Sequence, residues 1–386
     1  MRSIAVIGGG IAGLALALEL RVRGCRVTVV ERRYPGAGNS TRNVGRIRRM
    51  QLTPDLTAYA CRASDKWRTV HRLTGGRNPL LYRTPYVWAL YDEAERRALE
   101  PLEPMWREHG ARARLVDARE VLRRVPVLAG GEPTVGGVVG DAAVVHHDAA
   151  VYAYYLAARE RGVTFSIGRR AVEPLADGDR VEGVLLDDGS RIDADAVVNA
   201  AGGDSAEVAL RFGVEPVNAP VRREVLVTEP SRPFVTPAVT FYRPQEGWFN
   251  QTLRGELVAG VVDPAEEPGM TEASTVRFLG RTARVLLDKA PRLAELRVVR
   301  QWAGVYDTTP DKRPLVGEHP ERPGFWALNG WSGRGILLAP LSAELLAREL
   351  SGEGRDPALD RFAPGRFEDA PAQTTIHADY YSGYSH

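Results

Sequence analysis

The residues Gly8-Gly9-Gly10-Ile11-Ala12-Gly13 stand between a short apolar run and a run rich in alanine and leucine. Glycines at 8, 10 and 13 suit a turn that wraps a pyrophosphate. Gly8 permits the tight turn, Gly10 lets the phosphate approach the backbone, and Gly13 lets the following helix pack close to the strand. A helix that begins at Ile11 and Ala12 offers free N–H groups and a partial positive charge to an anion. Glu31 ends the next apolar run, 18 residues beyond Gly13, where a carboxylate can accept hydrogen bonds from ribose hydroxyls. The chemistry of this constellation is dinucleotide binding; the bland alternative is an ordinary glycine-rich turn between a strand and a helix.

Such residues need a β-α-β unit to hold them. Residues 3–7 read as a strand buried on both faces, 11–23 as a helix that Gly24 ends, and 26–30 as the second strand. The segment 36–49 is rich in Gly, Asn, Ser and Arg and reads as a functional loop. Residues 54–70 look helical, 82–91 alternate as a strand, 93–109 form a charged helix, and 148–161 form another helix. Short strands follow at 171–175, 180–186 and 191–192, with turns at Asp177-Gly178 and Asp188-Gly189. An apolar strand at 195–199 leads into Ala200-Ala201-Gly202-Gly203. Residues 220–265 alternate and carry many prolines, which suggests a mostly antiparallel sheet, and 271–289 look helical. The end returns to α/β character: a strand at 325–328, a glycine-rich turn at 330–335 and a helix at 336–350.

Two of these units favour FAD over NAD. The turn Val-Val-Asn-Ala-Ala-Gly-Gly at 197–203 resembles the second dinucleotide-contacting turn of FAD enzymes. The stretch Leu-Asn-Gly-Trp-Ser-Gly-Arg-Gly-Ile-Leu-Leu-Ala-Pro at 328–340 is another strand–glycine–helix unit, whose helix N-terminus can face the electron-rich edge of a flavin and favour its anionic reduced form. The fold class expected is α/β (α+β overall): a Rossmann-type FAD-binding domain interleaved with an antiparallel β-sheet substrate domain. The cofactor domain takes residues 1–85, 143–215 and 305–365, the substrate domain 86–142 and 216–304, and 366–386 form a tail that packs loosely.

With these motifs in order, together with WAGVYDTTPDKRPLVG at 302–317 and the loop Asn43-Val-Gly-Arg-Ile-Arg48 followed by Leu-Thr-Pro, residues 1–365 resemble the D-amino-acid oxidase superfamily. The pattern is closest to its sarcosine, dimethylglycine and proline dehydrogenases and to the flavin subunit of multimeric sarcosine oxidase. The resemblance implies oxidation of the C–N bond of a small amine or amino acid to an imine, by hydride transfer to flavin N5. It implies cofactor contacts at Gly8, Gly10, Ile11, Ala12, Gly13, Glu31, Arg32, Ser40, Arg42, Val172, Ala201, Gly202, Gly330, Gly333, Arg334, Gly335 and Ile336. It also implies that Arg48 holds the substrate carboxylate, with Arg46 and Arg49 as shifted alternatives; a guanidinium suits that role because it binds a carboxylate bidentately. Trp248, Tyr306 and Trp331 are candidates for the substrate wall, where aromatic faces attract an ammonium, or for plain core packing.

The sequence departs from parts of that family pattern. A lysine of monomeric sarcosine oxidases falls near Leu337, the lysine above their flavin has no counterpart in 255–260, and glycine oxidases place an arginine where this chain has Tyr306. The position of their flavin-linking cysteine falls near Gly304, and no histidine lies near 40–46, so FAD is expected to bind noncovalently. The acceptor is O2 or a redox partner, and a second subunit is in keeping with the resemblance. An FAD monooxygenase using NADPH shares the first fingerprint but carries a late Gly-Asp motif; here the late motif is Trp-Ser-Gly-Arg-Gly, and Gly-Asp-Ala-Ala at 140–143 lies early. The remaining alternative is a flavin-binding subunit whose main role is to bind a partner.

Composition narrows the rest. A hydrophobic fraction of 44% and a charged fraction of 26% describe a globular chain able to bury a large core. A formal net charge of +2 gives no strong pull toward nucleic acid or membrane. A catalytic lysine has three positions to choose from, Lys66, Lys289 and Lys312. Cys25 and Cys61 sit in segments that read as buried, and no disulfide or metal spacing is present; His146 and His147 precede a helix and have no third ligand near them. No apolar run approaches the ~20 residues of a membrane span. The chain enters a strand directly from Met1, so a cytoplasmic location is expected.

Overall fold

The computed structural model describes residues 1–367; beyond Phe367 the expected tail lies outside the described residues. Apolar runs at the expected places form the strands Ser3–Ile7, Arg26–Glu31, Ala196–Asn199 and Phe325–Asn329, joined in parallel with Thr164–Ile167, a strand not expected from the sequence, and with Leu315–Glu318 added antiparallel at one edge. In this six-stranded sheet Ser3–Ile7 lies between Ala196–Asn199 and Arg26–Glu31. The near-continuous apolar character of the inner strands follows from burial on both faces. One face carries the helices Ile11–Val22, Pro54–Trp67, His147–Glu160 and Gly335–Ser351, packed through residues such as Leu14, Tyr59, Tyr154 and Leu338. The other face is covered by a three-stranded sheet, Ala171–Asp177, Arg180–Leu186 and Arg191–Asp193, and by the helix Ser205–Arg211. The mixed α/β architecture expected from the sequence is therefore the one the chain adopts.

A second, nine-stranded sheet stands beside the first. Its path runs Val298–Thr308, Ala219–Pro230, Glu256–Val261, Gly247–Gln251, Ala238–Phe241, Tyr82–Leu90, Gly136–Val144 and Arg46–Arg48, with Ala113–Val116 also paired to Gly136–Val144. Pairing is antiparallel except between Ala238–Phe241 and Tyr82–Leu90. The strands Arg46–Arg48 and Tyr82–Leu90 both begin before residue 85 and yet pair in this sheet. The helix Val276–Lys289 closes one face through Phe278 and Leu286.

Several local expectations are corrected. The charged helix at 93–109 is two helices, Glu93–Leu99 and Leu102–Glu108; Pro101 has no N–H to donate to the Arg97 carbonyl and so cannot continue the first helix. Residues 46–48, read as loop, are a strand with Ile47 fully buried. The helix expected to start near 271 starts at Val276, capped by Thr275 Oγ1, which accepts from Phe278 N. His146 is an N-cap whose Nδ1 accepts from Ala149 N, and no group of three metal-ligating side chains exists among the described residues. Both cysteines are free and buried. Among the described residues no helix is long and apolar enough to cross a membrane.

Two devices fix the C-terminal helix that faces the cleft between the sheets. Pro340 lies inside Gly335–Ser351 and has no N–H to give the carbonyl of Ile336. The buried Trp67 donates its indole N–H to that carbonyl instead, at 2.8 Å. Upstream, the turn at 330–334 is held by Asp307, whose carboxylate accepts from Gly330 N at 2.7 Å while its carbonyl accepts from Ser332 N at 3.1 Å. Burial pushes the Asp307 carboxyl up to about 7, although the backbone N–H groups of Trp331 and Gly330 oppose the shift.

Trp67→Phe leaves the Ile336 carbonyl buried and unpaired, and should lower unfolding free energy by about 1–3 kcal/mol in denaturant titrations. Pro340→Ala supplies an N–H to the same carbonyl and should stabilise the Trp67→Phe variant more than the parent protein. A carboxyl whose folded pKa is raised above its unfolded value, about 3.9, contributes stability fully present below that value and lost as pH rises through about 7. The stability of the parent relative to Asp307→Asn should therefore fall between about pH 4 and pH 7, by on the order of 1 kcal/mol per pH unit. A flat difference would contradict the buried, proton-holding state of Asp307.

Candidate cofactor and substrate cleft

A continuous cleft of about 340 Å³ runs between the two sheets. One end is built by the first β-α-β unit. Gly8 has φ +113°, and a Cβ there would collide with the carbonyl of Ala200, so the first turn and the 200–203 turn pack backbone to backbone. A Cβ on Gly13 would collide with the Gly8 carbonyl, which is the close helix–strand approach the motif provides. The acid Glu31 is buried and aimed by two backbone donors, Gly9 N at 2.8 Å and Arg33 N at 2.7 Å. Gly10, the N-cap of Ile11–Val22, has no side chain to cap with; Ser40 Oγ accepts from Ile11 N at 2.9 Å in its place. Arg32 pairs with Asp204 at 2.6 Å.

The loop that carries Ser40 is folded by its own amides. Asn43 Nδ2 donates to the carbonyls of Asn39 and Ser40, and Asn43 Oδ1 accepts from Gly45 N at 2.7 Å. The Asn39 carboxamide pairs with both the N–H and the carbonyl of Val305, as a neighbouring strand would. Gly304 leaves room for it, since a Cβ there would collide with Asn39 Oδ1. Trp302 Nε1 donates to the Arg42 carbonyl at 3.0 Å. The loop is thereby fixed against the strand Val298–Thr308.

A second helix N-terminus reaches the same cleft. Gly335–Ser351 begins at Arg334, which provides no side-chain cap, and Gly333, Gly335, Ile336 and Leu337 line the cleft. Arg334 donates to the Lys312 carbonyl at 2.6 Å and to Gln51 Oε1 at 3.2 Å. Trp331 packs against Gly335, and the Tyr306 ring lies against Gly333, where a Cβ would come within 2.5 Å of Tyr306 Cε2. The Arg223 guanidinium sits 5.5 Å from the centre of the Tyr306 ring. Burial raises the Tyr306 hydroxyl above its ordinary pKa.

The far end of the cleft is cationic and aromatic. Arg46 and Arg48, two apart on one strand, share a face; both line the cleft with Tyr86, Thr240, Tyr242 and Trp248. Arg48 donates to the hydroxyls of Tyr86 and Tyr242, both at 2.9 Å. Arg46 donates to Thr240 Oγ1 at 2.7 Å and Asn250 Oδ1 at 3.1 Å, and its guanidinium lies 5.4 Å from the Trp248 ring centre. Its Nε has no hydrogen-bond partner, and no described carboxylate lies within ion-pair distance. Burial lowers its pKa, and the neighbouring Arg48 adds to the shift. Arg49 faces the other way, pairs with Asp65 at 2.7 Å and does not line the cleft.

Of the residues singled out from the sequence, the cleft brings together Gly8, Gly10, Ile11, Ala12, Glu31, Arg32, Ser40, Arg42, Arg48, Ala201, Gly202, Trp248, Tyr306, Trp331, Gly333, Arg334, Gly335 and Ile336. Gly13 and Gly330 stand behind it as packing and turn residues, and Ala171 lines it where Val172 was expected. No lysine lines it: Lys66 pairs with Glu19 and Glu344, and Lys289 with Glu132. Sequence reasoning missed Asn39, Asn43, Tyr86, Asp307 and the Arg223–Tyr306 contact. The asparagines had a local signal in the loop composition, whereas the others depend on long-range packing.

The residues present fit an FAD molecule. Two helix N-termini and a glycine-rich turn converge on one cleft, and a buried acid is aimed beside the first turn. The family profile described as DAO, FAD dependent oxidoreductase, matches residues 3–349. The chain is 27% identical over 382 residues to sarcosine oxidase subunit beta of Rhodobacter capsulatus, covering 95% of this chain and 90% of the relative. It is 28% identical over 367 residues to glycine oxidase of Pseudomonas aeruginosa, covering 92% and 96%. The crystal structure of L-proline dehydrogenase from P. horikoshii superposes with a TM-score of 0.87 at 25% identity, covering 95% of this chain and 98% of that one. With a profile match across residues 3–349 and a cleft whose residues fit FAD, this chain belongs to the DAO family of FAD-dependent oxidoreductases.

Proposed function

We propose that the protein oxidises the C–N bond of a small amine or amino acid to an imine. The substrate class is a secondary amino acid, such as an N-methyl or proline-like compound, or a related secondary metabolite. The observation that carries this reading is Arg46: a half-buried guanidinium in the cleft, its Nε shielded and unpaired, whose hydrogen bonds go only to neutral groups. A cation partly withdrawn from water without an acid favours an anion that joins it, and a carboxylate offers the bidentate partner a guanidinium fits. Arg46, the shifted alternative to Arg48, is therefore assigned the substrate carboxylate, and Arg48 keeps Tyr86 and Tyr242 in place beside it. Trp248, Tyr306 and Trp331 form the wall that holds the amine, with cation–π attraction before the amine loses its proton. Bound FAD supplies the hydride acceptor.

The six-stranded sheet carries the cofactor in this reading and the nine-stranded sheet the substrate. Noncovalent binding is supported by the lining, which includes neither cysteine nor histidine, and by Gly304, whose space Asn39 takes. The electron acceptor is O2 or a redox partner. Relatives named as a subunit beta support a second subunit.

Anaerobic titration of the holoprotein with sarcosine, proline and a panel of D- and L-amino acids tests the reading. At least one carboxylate-bearing amine should bleach the oxidised flavin bands, and its decarboxylated counterpart should not. Bleaching by simple amines alone, or by none of the panel, would sink it. Arg46→Gln should raise the half-saturating concentration of the active compound about 100-fold, corresponding to about 2.7 kcal/mol. Arg46→Lys should recover only part of this, because an ammonium lacks the planar fork.

A further inference from the structure

Between the strand Glu256–Val261 and the helix Val276–Lys289 the chain runs without regular structure through residues 262–275. This strap lines the cleft at Val262, Asp263, Glu266, Met270 and Glu272. Most of its anchors lie on the substrate side. Asp263 pairs with Arg281 at 2.5 Å and Glu266 with Arg222 at 2.8 Å. Gly269 N donates to the Pro220 carbonyl, and Thr275 N to Glu224. Glu272 is the exception. It takes two hydrogen bonds from Arg33, both at 3.0 Å, and pairs with Arg42 at 2.8 Å.

Those two arginines belong to the cofactor side. Arg33 N donates to Glu31, and Arg33 Nη2 to the Ala37 carbonyl. Arg42 ends the short helical turn Asn39–Thr41 that carries Ser40. Two positions before Glu272, Met270 Sδ lies where a Cβ on Gly203 would meet it at 3.4 Å, so the strap also touches the second dinucleotide turn. One carboxylate thus joins the strap to both segments that flank the first turn. Burial alone would raise the Glu272 carboxyl, but hydrogen bonds and charge from Arg33 and Arg42 outweigh it and hold its pKa below the ordinary value.

We propose that Glu272 is the latch of a cofactor-retaining strap: FAD enters and leaves only when Glu272 releases Arg33 and Arg42. This rests on FAD binding noncovalently in the cleft. A single carboxylate holding two partly exposed arginines is a modest, salt-sensitive tie, suited to slowing exit rather than forbidding it. Glu272 acts on the cofactor through the two arginines and is a positioning residue.

The test is the rate at which purified holoprotein releases FAD on dilution, read as the recovery of free flavin fluorescence. Glu272→Gln should release FAD roughly fivefold faster than the parent, and Glu272→Asp should restore part of the delay. Added salt should speed release from the parent more than from Glu272→Gln, a difference that a purely structural role would not produce. Hydrogen exchange on the unmodified protein gives a second reading: amides of 262–275 should be better protected with FAD than without. Equal release rates for parent and Glu272→Gln, or a strap whose exchange ignores FAD, overturn the latch. Flavin that stays on the acid-precipitated chain overturns the noncovalent reading, and the latch with it.

Discussion

Two buried carboxamides tie the cleft together. Asn329 Nδ2 donates to the Asn199 carbonyl at 2.9 Å, and Asn199 Nδ2 donates to the Ser205 carbonyl at 2.8 Å while its Oδ1 accepts from Ala201 N. Ala200 N in turn donates to the Ile7 carbonyl. These bonds join the carboxyl ends of three neighbouring strands, at the edge where open α/β sheets place their ligands. The turns at 8–13, 200–203 and 330–335 leave those strand ends and meet because the strands are parallel and in register, Ile7 opposite Asn199 and Asn199 opposite Ala327. Buried hydrogen bonds between strand ends resist small shifts of one strand against the next, so the three turns keep a fixed spacing.

The second sheet solves a different problem, which is to bring a cation into an apolar wall without losing it to a neighbouring acid. Strand alternation does most of this. Arg46 and Arg48 face the cleft, the intervening Ile47 is buried in the helical layer, and Arg49 turns to Asp65. The groups nearest Arg46 are hydroxyl, carboxamide and aromatic faces, which solvate a guanidinium without cancelling its charge. Trp248 can lie flat there because its neighbour across the ladder, Gly260, has no side chain; a Cβ would come within 2.8 Å of the indole.

The sequence made the cofactor half of the cleft legible for a physical reason. Its chemistry rests on backbone N–H groups, so glycines at 8, 10 and 13 and an acid at 31 are local signals. The turn at 200–203 and the helix start at 335 were legible in the same way. The substrate half depends on side chains that meet across long sequence gaps. Arg46-Ile47-Arg48 is too short to register as a strand, and only its pairing with Gly136–Val144 makes it one. That partner strand itself carries Gly136, Gly137 and Gly140 and so lacks a β-branched pattern, yet a Cβ on Gly137 would crowd Val121 and the Trp88 carbonyl. Tyr86 reached the site the same way, through register rather than motif; Asp307 stands inside the 302–317 stretch, but its bond to Gly330 N depends on long-range packing.

Only three of the 51 lysine and arginine residues are lysine, and this arginine bias has a structural consequence. Three cations near the dinucleotide end are matched by acids: Arg32 by Asp204, and Arg33 and Arg42 by Glu272. Each pairing fixes a guanidinium whose backbone segment shapes the cofactor turn, so the acids act as positioning groups for loops. At the substrate end Arg46 has hydrogen-bonding neighbours and no carboxylate among the described residues. Under the proposed function, a cleft that matches its arginines with acids at one end and leaves Arg46 solvated by neutral groups at the other separates charge used to hold the fold from charge available to a substrate carboxylate. That distinction is what separates Arg46 from Arg49, which sequence spacing alone treats as equals.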